Sequence, residues 1–331
     1  MIDPLRSGTY LFCVAPRGDM ALPEISPLTD HLPGHMRIQI RERATGNVPA
    51  VVTDPARSWW EGYNDNILRA RETAWGENEP LLSREMCELL DDVDAAFAVT
   101  GAHTPGWPNP YQGGPEPDEE AYEHSTNPEK FLIVVARARA WTKVLLDRGW
   151  AREASRVDWA LRPMEPGGTD TVLEPAADGA VPLVLTMHPP VDSDHPVNVT
   201  IAAGNPAVRL ASLPDCACDG CDSGSADLLK DLDMWVLSVI DGSLEVDVTA
   251  DHSAVRTSFK AGGGTVQDLD EPTTYTAAPW PANWTSRPLV PGIKTQGIGP
   301  RSVIGNVARA ALHRLLRKPE PKNRAQIYRS R

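Results

Sequence analysis

Residues 127–161 read NPEKFLIVVARARAWTKVLLDRGWAREASRVDWAL, and the period of the apolar residues changes part-way along. The first half has helical spacing. Asn127 stands where an N-cap belongs, Pro128 suits the first turn, and Glu129 favours the positive end of the helix dipole. Phe131, Val135, Ala138, Trp141 and Leu145 form one stripe, and Gly149 ends it. After residue 150 the pattern becomes that of strand: Arg156 to Leu161 alternates.

Working towards the N-terminus, two more helices are expected. Trp59, Trp60, Tyr63, Ile67, Ala70 and Ala74 recur on one helical face. After Pro80, a second stripe runs through Leu82, Met86, Leu89, Val93 and Phe97 to a stop at Gly101. The Pro-, Gly- and acid-rich stretch His103–Ser125 reads as a surface loop.

Working towards the C-terminus, the strand pattern continues. Thr171–Leu173 and Leu183–Leu185 bracket Ala176-Ala-Asp-Gly179 as a hairpin, Val181–Met187 is a short apolar run, and Val197–Ile201 alternates. One helix interrupts, from about Ala226 to Ile240, with Leu228, Leu232, Trp235 and Val239 inward and Ser225 or Ser223 as cap. Asp231 and Asp233 fall on its other side and read as solvated charge. Strands follow at Ser243–Thr249 and Ala254–Lys260.

Gly262-Gly-Gly264-Thr265 reads as a flexible hairpin turn. Residues 265–300 are rich in Pro and Trp and read as irregular, with Tyr275, Trp280 and Trp284 covering the core from a loop. Helices first, then an antiparallel sheet with one inserted helix, give an α+β fold. The expected organisation is an irregular extension over 1–55, a core domain over 56–290, and a basic tail over 291–331 carrying an amphipathic helix near Arg301–Arg317.

Composition bounds the function. The 331 residues are 41% hydrophobic and carry a net charge of −13, which excludes a coiled coil, a collagen and a disulfide scaffold. The charge is unevenly spread. Residues 301–331 hold nine basic and one acidic residue; the rest holds 23 basic and 44 acidic. The core should therefore repel nucleic acid. In the tail, Val303, Ile304, Val307, Ala311 and Leu315 form an apolar stripe among arginines. A helix lying on a membrane and a helix docked on the acidic core share this pattern, and the core charge favours docking. No apolar run reaches the roughly 18–20 residues needed to cross a bilayer. Asp3 and the short run Tyr10–Ala15 do not make an export signal. A reducing, cytoplasmic setting is the expectation, with the cysteines unpaired.

One constellation carries chemistry. Asp215-Cys216-Ala-Cys218-Asp219-Gly220-Cys221-Asp222 places three of the five cysteines within six residues. Cys-x-Cys followed by Cys-x2-Cys, with Gly220 supplying the turn, can point three sulfurs into one volume, as zinc requires. The flanking aspartates should raise the thiol pKa values and oppose a reactive nucleophile, unless a cation neutralises them. Three readings compete, in this order: neutral thiols packed before the helix, structural zinc, and a redox Cys218-x-x-Cys221 pair. A fourth ligand for zinc would come from Cys87, His188, His195 or Asp222. His188 and His195 bound the only other dense group of ligand residues, within a turn.

Serine-hydrolase, zinc-protease and dinucleotide signatures are absent from the sequence, and the Asp251-His252 pair has adjacent residues facing opposite ways in a strand. Two function classes remain. The first is a non-catalytic binding or accessory module. The second is a metal-dependent enzyme, with His188, His195 and the cysteine loop around a metal that keeps one position open. No catalytic residue can be assigned on this reading.

The stretch Cys216-Ala-Cys-Asp-Gly-Cys-Asp-Ser-Gly-Ser225, with Leu228-Leu229 and Leu232-Asp233, resembles a functionally uncharacterised actinobacterial family, a domain of unknown function with a CxCDxCDSGS-type loop. Ser125-Thr-Asn-Pro-Glu-Lys-Phe131 resembles its other recognisable stretch. The likeness would span about 56–285. It implies a bacterial cytoplasmic protein, in keeping with 25 Arg against 7 Lys, and supplies no activity.

Overall fold

The computed structural model describes residues 58–72, 80–163, 167–191, 196–250, 252–264 and 272–290, all within the compact unit Ala56–Arg331. The expected tail helix at Arg301–Arg317 and His195 lie outside the described residues.

Four α-helices are described: α1 (Trp59–Glu72), α2 (Arg84–Thr100), α3 (Leu132–Asp147) and α4 (Ser225–Ile240). Six strands form one sheet: β1 (Ala151–Ala154), β2 (Trp159–Leu161), β3 (Thr169–Pro175), β4 (Leu183–His188), β5 (Asn198–Gly204) and β6 (Ala207–Leu213). Their order is β1-β3-β4-β5-β6-β2, antiparallel except for β2 against β6. A second, antiparallel sheet has the order β10-β7-β8-β9, from β7 (Glu245–Val248), β8 (Ser253–Arg256), β9 (Ala261–Gly264) and β10 (Thr273–Thr276). The fold is α+β.

The local rules hold at most helix ends. The Ser83 hydroxyl accepts from Met86 N at 3.3 Å and starts α2, and Gly101 N donates to Phe97 O at 2.7 Å at its end. Asn127 does not cap. Its side chain makes no cap hydrogen bond, and residues Pro128–Phe131 form a 3-10 turn that leads into α3. Ser225 does not cap α4 either, because Trp107 takes its hydroxyl.

The core is continuous. One face of the large sheet supplies Leu173, Leu183, Leu185, Val199, Ile201 and Val208; the helices supply Leu89, Val93, Trp141, Leu145, Leu232 and Leu237; the small sheet supplies Val246 and Val248. Each fully buried side chain of this size stabilises the fold by ~1.5–3 kcal/mol relative to exposure. Trp280 is buried in this core, and Tyr275 lies in β10 and donates its hydroxyl to Ala203 O at 2.7 Å. Helix α3 is buried on nearly every side, including Arg137 at 2% exposure.

That burial explains a correction. Asp233 is not solvated: it is 0% exposed. Its Oδ1 accepts from Arg137 Nε at 2.8 Å and Trp141 Nε1 at 2.7 Å; its Oδ2 accepts from Arg137 Nη2 at 2.7 Å and Trp59 Nε1 at 2.9 Å. Helical periodicity assigns a charge to the outside, but α4 is covered on both flanks, so the carboxylate needs internal donors. Burial works against the Arg137 charge, yet Asp233 and Asp94 outweigh it and hold the guanidinium above its usual pKa.

Four strands escape the sequence pattern: β1, β6, β9 and β10. They are short or rich in small and polar residues, so backbone pairing rather than side-chain alternation defines them. The glycines expected to form a turn instead form β9, paired with β8.

Candidate metal centre

Strand β6 ends at Leu213, and Asn198 Nδ2 holds the next carbonyl, Pro214 O, at 2.9 Å. The chain then makes a tight loop, including a 3-10 turn over Asp219–Cys221, before entering α4. The loop folds the three sulfurs of Cys216, Cys218 and Cys221 together, all within 4.8 Å of one another. Cys216 and Cys218 Sγ are 3.2 Å apart. All three are free thiols and half-buried. A tetrahedral zinc with Zn–S bonds of about 2.3 Å needs sulfurs about 3.8 Å apart, within the 4.8 Å that encloses the three sulfurs and somewhat wider than the Cys216–Cys218 separation.

Gly220 is required here by close approach: a Cβ on it would lie 2.8 Å from the Tyr122 ring. Gly224 has φ +87°, and a Cβ there would meet Asn109 N at 2.6 Å. The segment 106–131 thus packs tightly over the loop.

The aspartates face that segment. Asp222 accepts from Trp107 Nε1 at 2.8 Å, Lys130 Nζ at 2.6 Å and Gly224 N at 2.8 Å. Asp219 accepts from Thr126 N at 3.1 Å and from the Thr126 hydroxyl, with His124 Nε2 at 3.3 Å and Lys130 Nζ at 3.9 Å. Burial pushes the Asp219 carboxyl up, but Thr126, Lys130 and His124 outweigh it and hold it below its usual value.

The thiols of Cys218 and Cys221 are held above their usual values, and the leading cause is burial, followed by the neighbouring thiols. This corrects the expectation that the flanking carboxylates are responsible. Those carboxylates spend their charge on Lys130, Thr126 and Trp107. A half-buried group of adjacent sulfurs resists ionising one after another, because each thiolate would repel the next. The Tyr111 hydroxyl is also held up, first by desolvation and then by Asp219 and Asp222.

Among the described residues, the group of ligand atoms within 4.8 Å contains the three cysteines and no other residue. His188 is buried in β4, with Nε2 3.1 Å from Thr200 Oγ1. Cys87 lies on α2, 3.9 Å from Asn64 Nδ2. Asp222 is engaged as above. Lys130, Trp107, Thr126 and His124 were missed as site residues by sequence reasoning. A signal for Thr126 and Lys130 existed, though not for Trp107 or His124: the two stretches on which the family resemblance rests, Ser125–Phe131 and Cys216–Ser225, pack against each other here.

These features define an α+β protein with a three-thiol loop clamped by a long cross-chain segment. The chain belongs to a family described as a family of unknown function, DUF6226, which matches residues 93–285 and so includes every residue of the clamp. A search of the curated proteins found no match, and a search of the solved structures found none. No helix among the described residues is long and apolar enough to cross a membrane.

Proposed function

We propose that the chain is a non-catalytic binding or accessory module whose cysteine loop holds a structural zinc ion on Cys216, Cys218 and Cys221. The observation that carries this reading is the convergence of three sulfurs within 4.8 Å. Protonated thiols bring little cohesion of their own, whereas a divalent ion displaces the protons and binds the sulfurs to one another. The metal would tie the end of β6 to the start of α4, and metal-binding free energy then adds to folding free energy. The module is the core domain 56–290, working in a reducing cytoplasm where the thiols stay available.

Metal analysis of protein purified without chelator tests this. About one zinc per chain is expected, held by the three thiolates with the fourth tetrahedral position filled by a donor outside that group. Cys218→Ser should lose the metal and lower the melting temperature, while chelation should lower that of the native protein to a similar level. Protein that neither carries nor takes up zinc overturns the reading.

A further inference from the structure

The clamp suggests how the site chooses its ion, an inference that rests on the metal reading above. The two aspartates next to Cys221 offer four carboxylate oxygens beside three sulfurs. With those oxygens free, the loop would be a mixed oxygen–sulfur site open to oxygen-preferring cations such as manganese. The structure occupies them with other partners, and Lys130 is the shared one. Its side chain is 13% exposed, with the ammonium 2.6 Å from Asp222 and 3.9 Å from Asp219. Nζ also lies 5.4 Å from the Trp107 ring centre and 5.1 Å from that of Phe131. The aromatic rings fix its position, since cation–π contact and restricted solvent both favour one placement of the charge. Trp107 and Thr126 take further lone pairs of the same carboxylates.

We propose that Lys130 is a positioning residue that retains Asp219 and Asp222 as clamps, and so reserves the loop for a thiophilic ion bound through sulfur. Its positive charge acts in the same direction. It repels a hard cation seeking carboxylate oxygens, whereas a soft ion gains its binding from the thiolates. Removing Lys130 frees a lone pair of Asp222 Oδ2 and removes the repulsion together, so both effects favour hard cations.

The test is competition between cobalt(II), which reports sulfur ligation through its thiolate-to-metal charge-transfer absorption, and manganese(II). The full-length chain with its thiols reduced is compared with Lys130→Met and Lys130→Arg. Native protein should bind cobalt with a strong sulfur band that excess manganese does not displace. In Lys130→Met, manganese should compete better by about tenfold or more, the scale of one charge-assisted hydrogen bond, and the cobalt d–d bands should shift as oxygen enters. Lys130→Arg should behave as native. Manganese competition and cobalt spectra unchanged in Lys130→Met overturn the role given to Lys130 while leaving the metal site standing; native protein that binds no cobalt or zinc removes the site itself. Should Lys130→Met fail to fold, Asp222→Asn decides. It keeps an acceptor for Trp107 and should preserve the native sulfur spectrum, and loss of that spectrum would make Asp222 a ligand and overturn the proposal.

Discussion

Replacing Asp233 with alanine would leave the Arg137 guanidinium, 2% exposed, facing a void inside the helical layer. Removing one partner of a buried ion pair costs ~3–5 kcal/mol because the other charge stays desolvated. Trp59 and Trp141 would each lose the Asp233 acceptor, at 2.9 and 2.7 Å, and a stranded buried donor costs ~1–3 kcal/mol. These penalties overlap, and Asp94 still holds Arg137 Nη1. A total of ~5 kcal/mol is expected, a large part of the ~5–15 kcal/mol that stabilises a typical domain. Urea denaturation followed by far-UV circular dichroism should show the midpoint falling by ~2 M, for a slope of ~2–3 kcal/mol/M. Asp233→Asn, which keeps one acceptor but loses the charge, should fall between. Adding Arg137→Met to Asp233→Leu should be less damaging than Asp233→Ala, because no lone charge remains buried. An Asp233→Ala protein within ~1 kcal/mol of native would refute the argument, returning Asp233 to the solvated role that its helical position suggests.

Two other perturbations follow from the same structure. Asp241 is fully buried, 3.7 Å from Arg287 Nη1, and burial raises its pKa from 3.8 to about 6 against the opposing pull of Ser243 and Arg287. A raised acid stabilises the fold below the unfolded pKa and loses that contribution as pH rises through about 6. Native stability measured relative to Asp241→Asn should therefore decline from pH 3 to pH 7, by ~3 kcal/mol; a flat difference would show that Arg287 already compensates the charge. Gly224→Ala forces a side chain into φ +87° and against Asn109 N. It should cost ~1–3 kcal/mol and loosen the 106–131 segment, seen as faster proteolysis there, whereas unchanged cleavage would show that the segment is held elsewhere.

The contrast between Asp233 and the cysteines shows where sequence reading succeeds. Helices α1, α2, α3 and α4 were legible because each carries a recurrent apolar stripe, and periodicity is a local property. The hairpin from β3 to β4 was legible for the same reason, with Leu173 paired to Leu183 across the expected turn. Strands β6 and β9 were not: each pairs with the strand just before it across a short turn, but their side chains carry no alternation to mark them. Asp233 misled because a 3.6-residue period reports one buried face, and α4 has more than one. The cysteine loop was legible as a group of ligands, because residues two and three apart must lie near each other.

The sequence alone thus determined that this chain is α+β, acidic, and carries three thiols within reach of one ion, since each follows from composition or short-range spacing. Only the tertiary structure decided what surrounds those thiols. Lys130 and Trp107 stand 92 and 115 residues from Asp222, and no local pattern encodes a contact across such distances. The burial that raises the Cys218 and Cys221 thiols and the pairing that engages the aspartates elsewhere are consequences of packing. They exist only when the segment 106–131 closes over the loop.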